Sequence, residues 1–282
     1  MAQVRFPAVA GMFYPSQGQA LREEVAWCYR HPLGPGVLPT LTPVPLSRPL
    51  GLIAPHAGYR FSGPIAAHAY RALAQAGRPQ GVVVLGPDHY GLGAPLSLSE
   101  ACVWRTPLGD TPVLRDLDAP LGQRLPDLRH SLAGHLREHA VEVHLPFLQH
   151  LLGNTFPFLP IAVLDQSLAV GVRLGQALAE VLSPQGWVLI ASTDLSHYYP
   201  EGRARQLDQR VLEAILTGKA QAVAEVAQEV NMCGPGPVIA LLACLAVWGT
   251  PRPLLLAYAT SADTGGGRER VVGYASFSVG VE

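Results

Sequence analysis

Three apolar runs in this sequence end in side chains able to do chemistry. Leu52-Ile53-Ala54 leads into Pro55-His56-Ala57-Gly58-Tyr59, Val82-Val83-Val84-Leu85-Gly86 into Pro87-Asp88-His89-Tyr90, and Val188-Leu189-Ile190-Ala191 into Ser192-Thr193-Asp194-Leu195-Ser196-His197. A lone histidine in such a place reads as a loop or cap residue. Three at equivalent positions read as a site, because ligands of an open parallel sheet bind outside the carboxyl ends of its strands, where residues over a hundred positions apart converge. A fourth segment, Asn231-Met232-Cys233-Gly234-Pro235-Gly236-Pro237, stands just before an apolar helical stretch that starts at Val238. A cysteine at a helix N-terminus meets free N–H groups that favour the thiolate, the form that ligates metal or attacks. Cys28, Cys102 and Cys244 lie within apolar patterns and read as small buried hydrophobes.

Two imidazoles and a thiolate, from His56, His89 and Cys233, make a three-ligand set for a borderline or soft transition metal, with positions left for water or substrate. Asp194 and His197 then become orienters or proton carriers beside a bound ligand. The segment Glu138-His139-Ala140-Val141-Glu142-Val143-His144 invites a zinc-protease reading, but its histidines are five apart and fall on different helix faces. His139 and Glu142, three apart, can share a face and point an acid–base pair into the cleft; a solvated or capping role fits the same pair. No Gly-x-Ser-x-Gly elbow occurs. The glycine-rich run Thr260 to Arg268 lacks the Lys-Ser/Thr ending of a phosphate loop and reads as a turn between two strands.

The elements that must position these residues alternate. Leu21, Val25 and Cys28 recur at helical spacing between Gln17 and Arg30. A loop with six prolines follows over about 32–49 and reads as a surface excursion, since the thirty residues before it are too few for a domain. Short apolar runs then alternate with helices: Leu50 to Ala54, a helix from Ser62 to about Ala76, Gly81 to Leu85, a helix near Ala140 to Leu152, Leu159 to Val163, a helix from Ser167 to Leu182, and Trp187 to Ala191. Continuous apolar strands joined by helices predict an α/β fold, a single domain over residues 1–282 with a mainly parallel central sheet flanked by helices. Ser62 with Pro64 just behind it marks a helix start. Ala101 to Trp104, between Pro95 and Val113, suggests a hairpin beside the sheet, and Leu254 to Ala259 and Val271 to Val279 are two further strands.

Composition narrows the function classes. Of 282 residues, 49% are hydrophobic and 15% charged, which excludes a disordered chain. A net charge of −1 gives no electrostatic footprint for nucleic acid or an anionic membrane. The only lysine is Lys219, and the arginine bias reads as a property of the genome rather than of a basic surface. The longest apolar run, Val238 to Trp248, is too short to span a bilayer. Met1 to Pro7 shows no apolar segment behind a basic start, and four scattered cysteines need no disulfide framework, so a reduced, cytoplasmic protein is expected.

Seven motifs together resemble the MEMO family: Ala10-Gly11-Met12-Phe13-Tyr14-Pro15, Pro55 to Tyr59, Leu85 to His89, Glu138-His139 to His144-Leu145-Pro146, Asp194 to His197, Met232-Cys233-Gly234 and Val272-Gly273-Tyr274-Ala275. Prokaryotic members of that family are called AmmeMemoRadiSam system protein B, after a radical-SAM protein and an AMMECR-type protein that accompany it. The resemblance implies a class III extradiol dioxygenase-like fold, metal ligands at His56, His89 and Cys233, and Asp194 and His197 in the same cleft. It implies a transition-metal cofactor, iron first, with copper or zinc as alternatives. Phe13, Tyr59, His139 and Glu142 are the residues expected to meet a ligand, with Phe13 standing where animal members carry a tryptophan. The implied activity is redox or oxygenase-like, on a small-molecule or peptide ligand; the alternative is a non-catalytic module that binds a peptide or anion in the same histidine-rich cleft. Catechol cleavage does not follow from the fold, because Cys233 replaces the carboxylate that the dioxygenases place on iron.

Overall fold

The structure, a computed structural model, describes residues 3–282. Four parallel strands form its centre, in the spatial order Leu50–Ala54, Trp187–Ser192, Gly81–Pro87 and Phe158–Val163. These are the uninterrupted apolar runs of the sequence, and the reason for their continuity is burial on both faces. Ile53, Val83, Leu85 and Leu189 point to one face, against Leu174, Leu178, Leu241 and Leu245; Leu52, Val82, Val84 and Ile190 point to the other, against Leu21, Val25, Tyr70 and Phe147. The sheet is parallel only at its centre. On one side Val271–Val281 runs antiparallel to Leu50–Ala54 and carries the antiparallel strands Pro251–Thr260 and His197–Tyr199. On the other, Leu96–Leu98 is antiparallel to Phe158–Val163 and pairs in parallel with Leu128–His130.

The helix Pro235–Trp248, apolar over most of its surface, lies between the sheet and the helix Leu168–Val181. Gly175 makes this contact possible, since a Cβ there would sit 2.3 Å from the Ala240 carbonyl oxygen. Among the described residues no helix is long and apolar enough to cross a membrane.

Three expectations shift in detail. The helix expected from Ser62 begins at Tyr59, because the Tyr59 N–H finds the distant Phe13 carbonyl at 2.8 Å; Ser62 bonds back to Ala57 and Pro64 lies inside the helix. The expected hairpin forms from Val103–Thr106 and Gly109–Pro112, and Val4–Arg5 joins it as a third, parallel strand. The proline-rich segment is pinned at its end, where Leu46 is buried and Leu46 N–H and Arg78 N–H donate to Arg78 and Val44 carbonyls.

Candidate metal centre

The parallel register sets where the chemistry converges. Ala54 is paired with Ser192 and Leu85 with Ala191, so the segments carrying His56, Asp194 and His89 leave the sheet at one edge. There they line an open cleft of about 630 Å³ together with Phe13, His139 and Cys233. One donor atom from each of His56, His89 and His139 lies within 4.8 Å of the other two. The rings of His89 and His139 stack, with centroids 4.9 Å apart and planes 7° from parallel, and His56 meets both edge-on at 5.1 and 5.5 Å.

Each ligand candidate is held from behind. His56 Nδ1 lies 2.6 Å from Ser192 Oγ, and the His56 N–H donates to Asp194 Oδ1 at 2.8 Å. That leaves Nε2 for the cleft, where Cys233 Sγ stands 3.1 Å away. His89 Nδ1 bonds Glu138 Oε1 at 2.9 Å, and the His89 N–H donates to Oε2 at 2.6 Å. The N–H groups of His139 and Ala140 complete the Glu138 carboxylate, at 2.7 and 2.8 Å. A carboxylate behind an imidazole fixes the ring and strengthens its other nitrogen as a metal donor.

Burial and charge set the protonation pattern. Burial, with the neighbouring imidazoles adding to it, drives His56 well below the ordinary range, and burial brings His139 down to about 4 although Glu138 opposes it. His89 goes the other way: burial would lower it, but the Glu138 hydrogen bond and charge raise it. Glu138, despite its burial, falls to about 2 under the influence of His89. Asp194 is lifted to about 6 by burial, against the pull of His197.

The structure places most of the expected residues in the cleft and moves two out of it. His56, His89, Asp194, His197, Cys233, Phe13 and His139 all line it. Tyr59 does not: its ring packs on Tyr14 and Phe147, 2% exposed, and its hydroxyl donates to the Val143 carbonyl at 2.6 Å. Glu142 does not either. It is fully buried, paired with Arg5 and bonded by the N–H groups of Ala8 and Val9 and by Tyr14, so it serves packing rather than a ligand. The acid–base pair expected from His139 and Glu142 is therefore absent, because His139 lies before the 3₁₀ helix that starts at Glu142, and Glu142 is held by Arg5.

Cys233 reaches His56, but the expected thiolate is reversed. Burial and the Asp194 carboxylate push the thiol well above its ordinary range. The helix-end donors it was expected to use are missing: Pro235 and Pro237 have no N–H, Gly234 N–H goes to Thr193 Oγ1, and Gly236 N–H goes to Gln166 Oε1. One N–H, from Asp194, reaches Cys233 Sγ, at 3.0 Å.

Three supporting residues were not singled out from the sequence. Glu138 stands next to a candidate and gave no period of its own. Ser192 opens the polar cluster that follows the run Trp187 to Ala191 but carries no role of its own there. Asn231 uses its side-chain amide to bond both the N–H and the carbonyl of His197, each at 3.2 Å, and its own carbonyl lies 3.2 Å from His197 Nδ1. A strand-end signal exists for Ser192, while Glu138 and Asn231 depend on chain crossings that no local pattern encodes.

The donor set fits a borderline metal: imidazole nitrogens and a sulfur, with oxygen partners behind two of the rings. Comparison with known proteins shows the family of the chain. A family model described as Memo-like protein matches residues 5–278. A MEMO1 family protein of Methanopyrus kandleri is 41% identical over 276 residues, 96% of this chain and 97% of that one. A second from Ignicoccus hospitalis is 39% identical over 277 residues, 97% of each chain. A third from Methanocaldococcus jannaschii is 40% identical over 286 residues, 98% of this chain and 99% of that one. Among solved structures, an uncharacterized protein of Escherichia coli K12 superposes with a TM-score of 0.53 at 15% identity, covering 83% of this chain and 100% of that one; it shows the fold alone, an α/β unit.

Proposed function

This chain belongs to the Memo-like protein family, and from that premise we propose that its cleft holds one transition-metal ion and serves a redox or oxygenase-like reaction on a small-molecule or peptide ligand. The observation that carries the reading is the convergence of three imidazole donors within 4.8 Å, with the Cys233 sulfur 3.1 Å from His56 Nε2. His56, His89 and Cys233 are the proposed ligands, and His139 offers a further nitrogen. Iron is the first choice, with copper or zinc as alternatives, since imidazole with sulfur suits all three. A bound iron or copper would supply one-electron chemistry and a Lewis acid; a thiolate donor, richer in charge than a carboxylate and oxidisable itself, separates this centre from ring-cleaving dioxygenases.

The chain's own groups would manage protons around it. Asp194, lifted to about 6, exchanges a proton near neutral pH. His197, held through Nδ1 by the Asn231 carbonyl, keeps Nε2 for the cleft. Phe13 packs edge-on against His139 at 4.8 Å and forms the cleft wall on that side.

A second reading, a non-catalytic module for a peptide or small anion, draws on the openness of the cleft and on exposed Tyr90 and Tyr198 at its lip. A radical-SAM protein and an AMMECR-type protein are the proposed partners, on the family resemblance. Four free cysteines support a reducing, cytoplasmic compartment.

Elemental analysis of anaerobically purified protein, followed by oxygen uptake with candidate catechols and other reductants, tests the reading. About one iron or copper per chain, lost in His56→Ala, is expected. Metal content equal in wild type and in His56→Ala, His89→Ala and Cys233→Ser variants would show that the centre is not here.

A further inference from the structure

Behind His56 lies a chain of polar side chains that the metal reading does not use. Ser192 Oγ has three partners: His56 Nδ1 at 2.6 Å, His144 Nε2 at 2.8 Å and the Ala140 carbonyl oxygen at 2.7 Å. His144 Nδ1 in turn lies 2.6 Å from the Tyr70 hydroxyl. Ser192 and Tyr70 are 0% exposed, His144 1% and His56 2%. Apolar residues would fill this space at lower risk, because a buried polar group is stable only when every partner is supplied. Here every ring nitrogen and hydroxyl of the network has one; among the described residues, the buried side-chain polar atoms without partners lie elsewhere, on Tyr29, Asp118 and His135.

Counting protons gives the chain one polarity. A serine hydroxyl has one proton and two lone pairs. The Ala140 carbonyl has no proton to give, so the Ser192 proton goes to it. Both imidazoles must then donate to Ser192, His56 from Nδ1 and His144 from Nε2. A neutral His144 that donates from Nε2 must accept at Nδ1, and the Tyr70 hydroxyl is the group placed to donate there. Burial keeps His144 neutral, bringing it down to about 3.

We propose that Ser192 is a positioning residue that fixes His56 in the Nδ1–H tautomer, with His144 and Tyr70 completing the hydrogen-bond count, so that the Nε2 lone pair is presented to the cleft before any metal arrives. The inference rests on the metal reading for its purpose, although the tautomer itself does not. Glu138 does the same for His89 with a charged acceptor. His56 is instead fixed by a neutral one, which adds no charge behind a ligand that already faces the Cys233 sulfur.

The test uses the intact, metal-free protein, labelled with ¹⁵N, and long-range proton–nitrogen NMR spectra in which protonated and unprotonated ring nitrogens are distinct. His56 is expected to carry its proton on Nδ1 and His144 on Nε2, with His56→Gln and His144→Gln variants assigning the signals. In Ser192→Ala the His56 signals should lose that single tautomer, and Co(II) affinity should fall by about 10- to 100-fold, the usual effect of removing a group that orients a ligand. Ser192→Thr, which keeps the oxygen, should restore both. A wild-type His56 protonated at Nε2, or a Ser192→Ala protein with unchanged His56 tautomer, overturns the assignment. Wild-type protein that shows the expected tautomers yet binds no Co(II) would sink the metal reading and leave the Ser192 geometry standing.

Discussion

The guanidinium of Arg5 and the carboxylate of Glu142 form an ion pair with neither side chain exposed, 137 positions apart in sequence. Arg5 also donates to the carbonyls of His135 at 3.1 Å and Glu138 at 2.6 Å, so the pair anchors the turn that carries Glu138 and His139. Removing one partner of a buried pair strands the other, at a cost of about 3–5 kcal/mol. Glu142→Gln and Arg5→Met should each lower the urea midpoint accordingly. At a temperature where it stays folded, Glu142→Gln should keep most of its metal; a folded variant with full stability and no metal would instead return Glu142 to the cleft.

His139 and Cys233 compete for the third donor position, and their variants separate them. If Cys233 ligates, Co(II)-loaded wild type should show a thiolate-to-metal absorption band that Cys233→Ser lacks and His139→Ala retains. If the three imidazoles ligate alone, no such band appears and His139→Ala shows the larger loss of affinity. Glu138→Gln should weaken binding by about 10- to 100-fold either way, through His89.

Cysteine reactivity follows burial in the metal-free protein. Cys102, expected from its apolar surroundings in sequence to be buried, is exposed; Cys28 and Cys244 are buried with their thiols pushed up, and Cys233 is pushed up by burial and by Asp194. Peptide-mapped alkylation at pH 8 should modify Cys102 first and Cys233 slowly. Rapid labelling of Cys233 would mean that its thiolate is stabilised after all.

Acid should unfold the protein partly through buried neutral histidines. His135 is brought from 6.5 down to about 4, chiefly by burial. The unfolded chain takes up a proton near 6.5 while the folded protein resists to about 4, so stability is whole above that window and falls as pH drops through it. The loss from this residue is on the order of 3 kcal/mol at most. His135→Gln keeps a donor for the Ser97 carbonyl and cannot protonate, so its melting temperature should depend less steeply on pH between 6.5 and 4. Parallel curves for the two proteins would show that His135 is protonated within the fold.

Gly234 leaves no room for a side chain, since a Cβ would lie 2.3 Å from the Ser192 carbonyl oxygen and 2.9 Å from Thr193 Cβ. Gly234→Ala should therefore displace Cys233 from His56 and lower both stability and Co(II) affinity. Unchanged affinity would argue that the sulfur takes no part.

Much of this centre was legible in the sequence, because its first half is local. A buried parallel strand must be apolar along its length, so the first polar cluster after it marks the sheet edge; His56, His89 and Asp194 were found that way. Cys233 was found from its place before an apolar helix. What the tertiary structure alone decided is which neighbour each group faces. Glu138 meets His89 across 49 positions, Glu142 meets Arg5 across 137, and Cys233 meets His56 across 177. Four positions apart on either side of the turn before the 3₁₀ helix, Glu138 lies behind a cleft histidine and Glu142 in the core. The same holds for charge: helix-end placement argued for a thiolate, but Pro235, Pro237, Thr193 and Gln166 remove or occupy the N–H groups, and burial beside Asp194 keeps the proton on sulfur. Residue type and spacing fix where side chains leave the backbone; protonation and pairing depend on desolvation and on partners that only the folded chain brings within 3 Å.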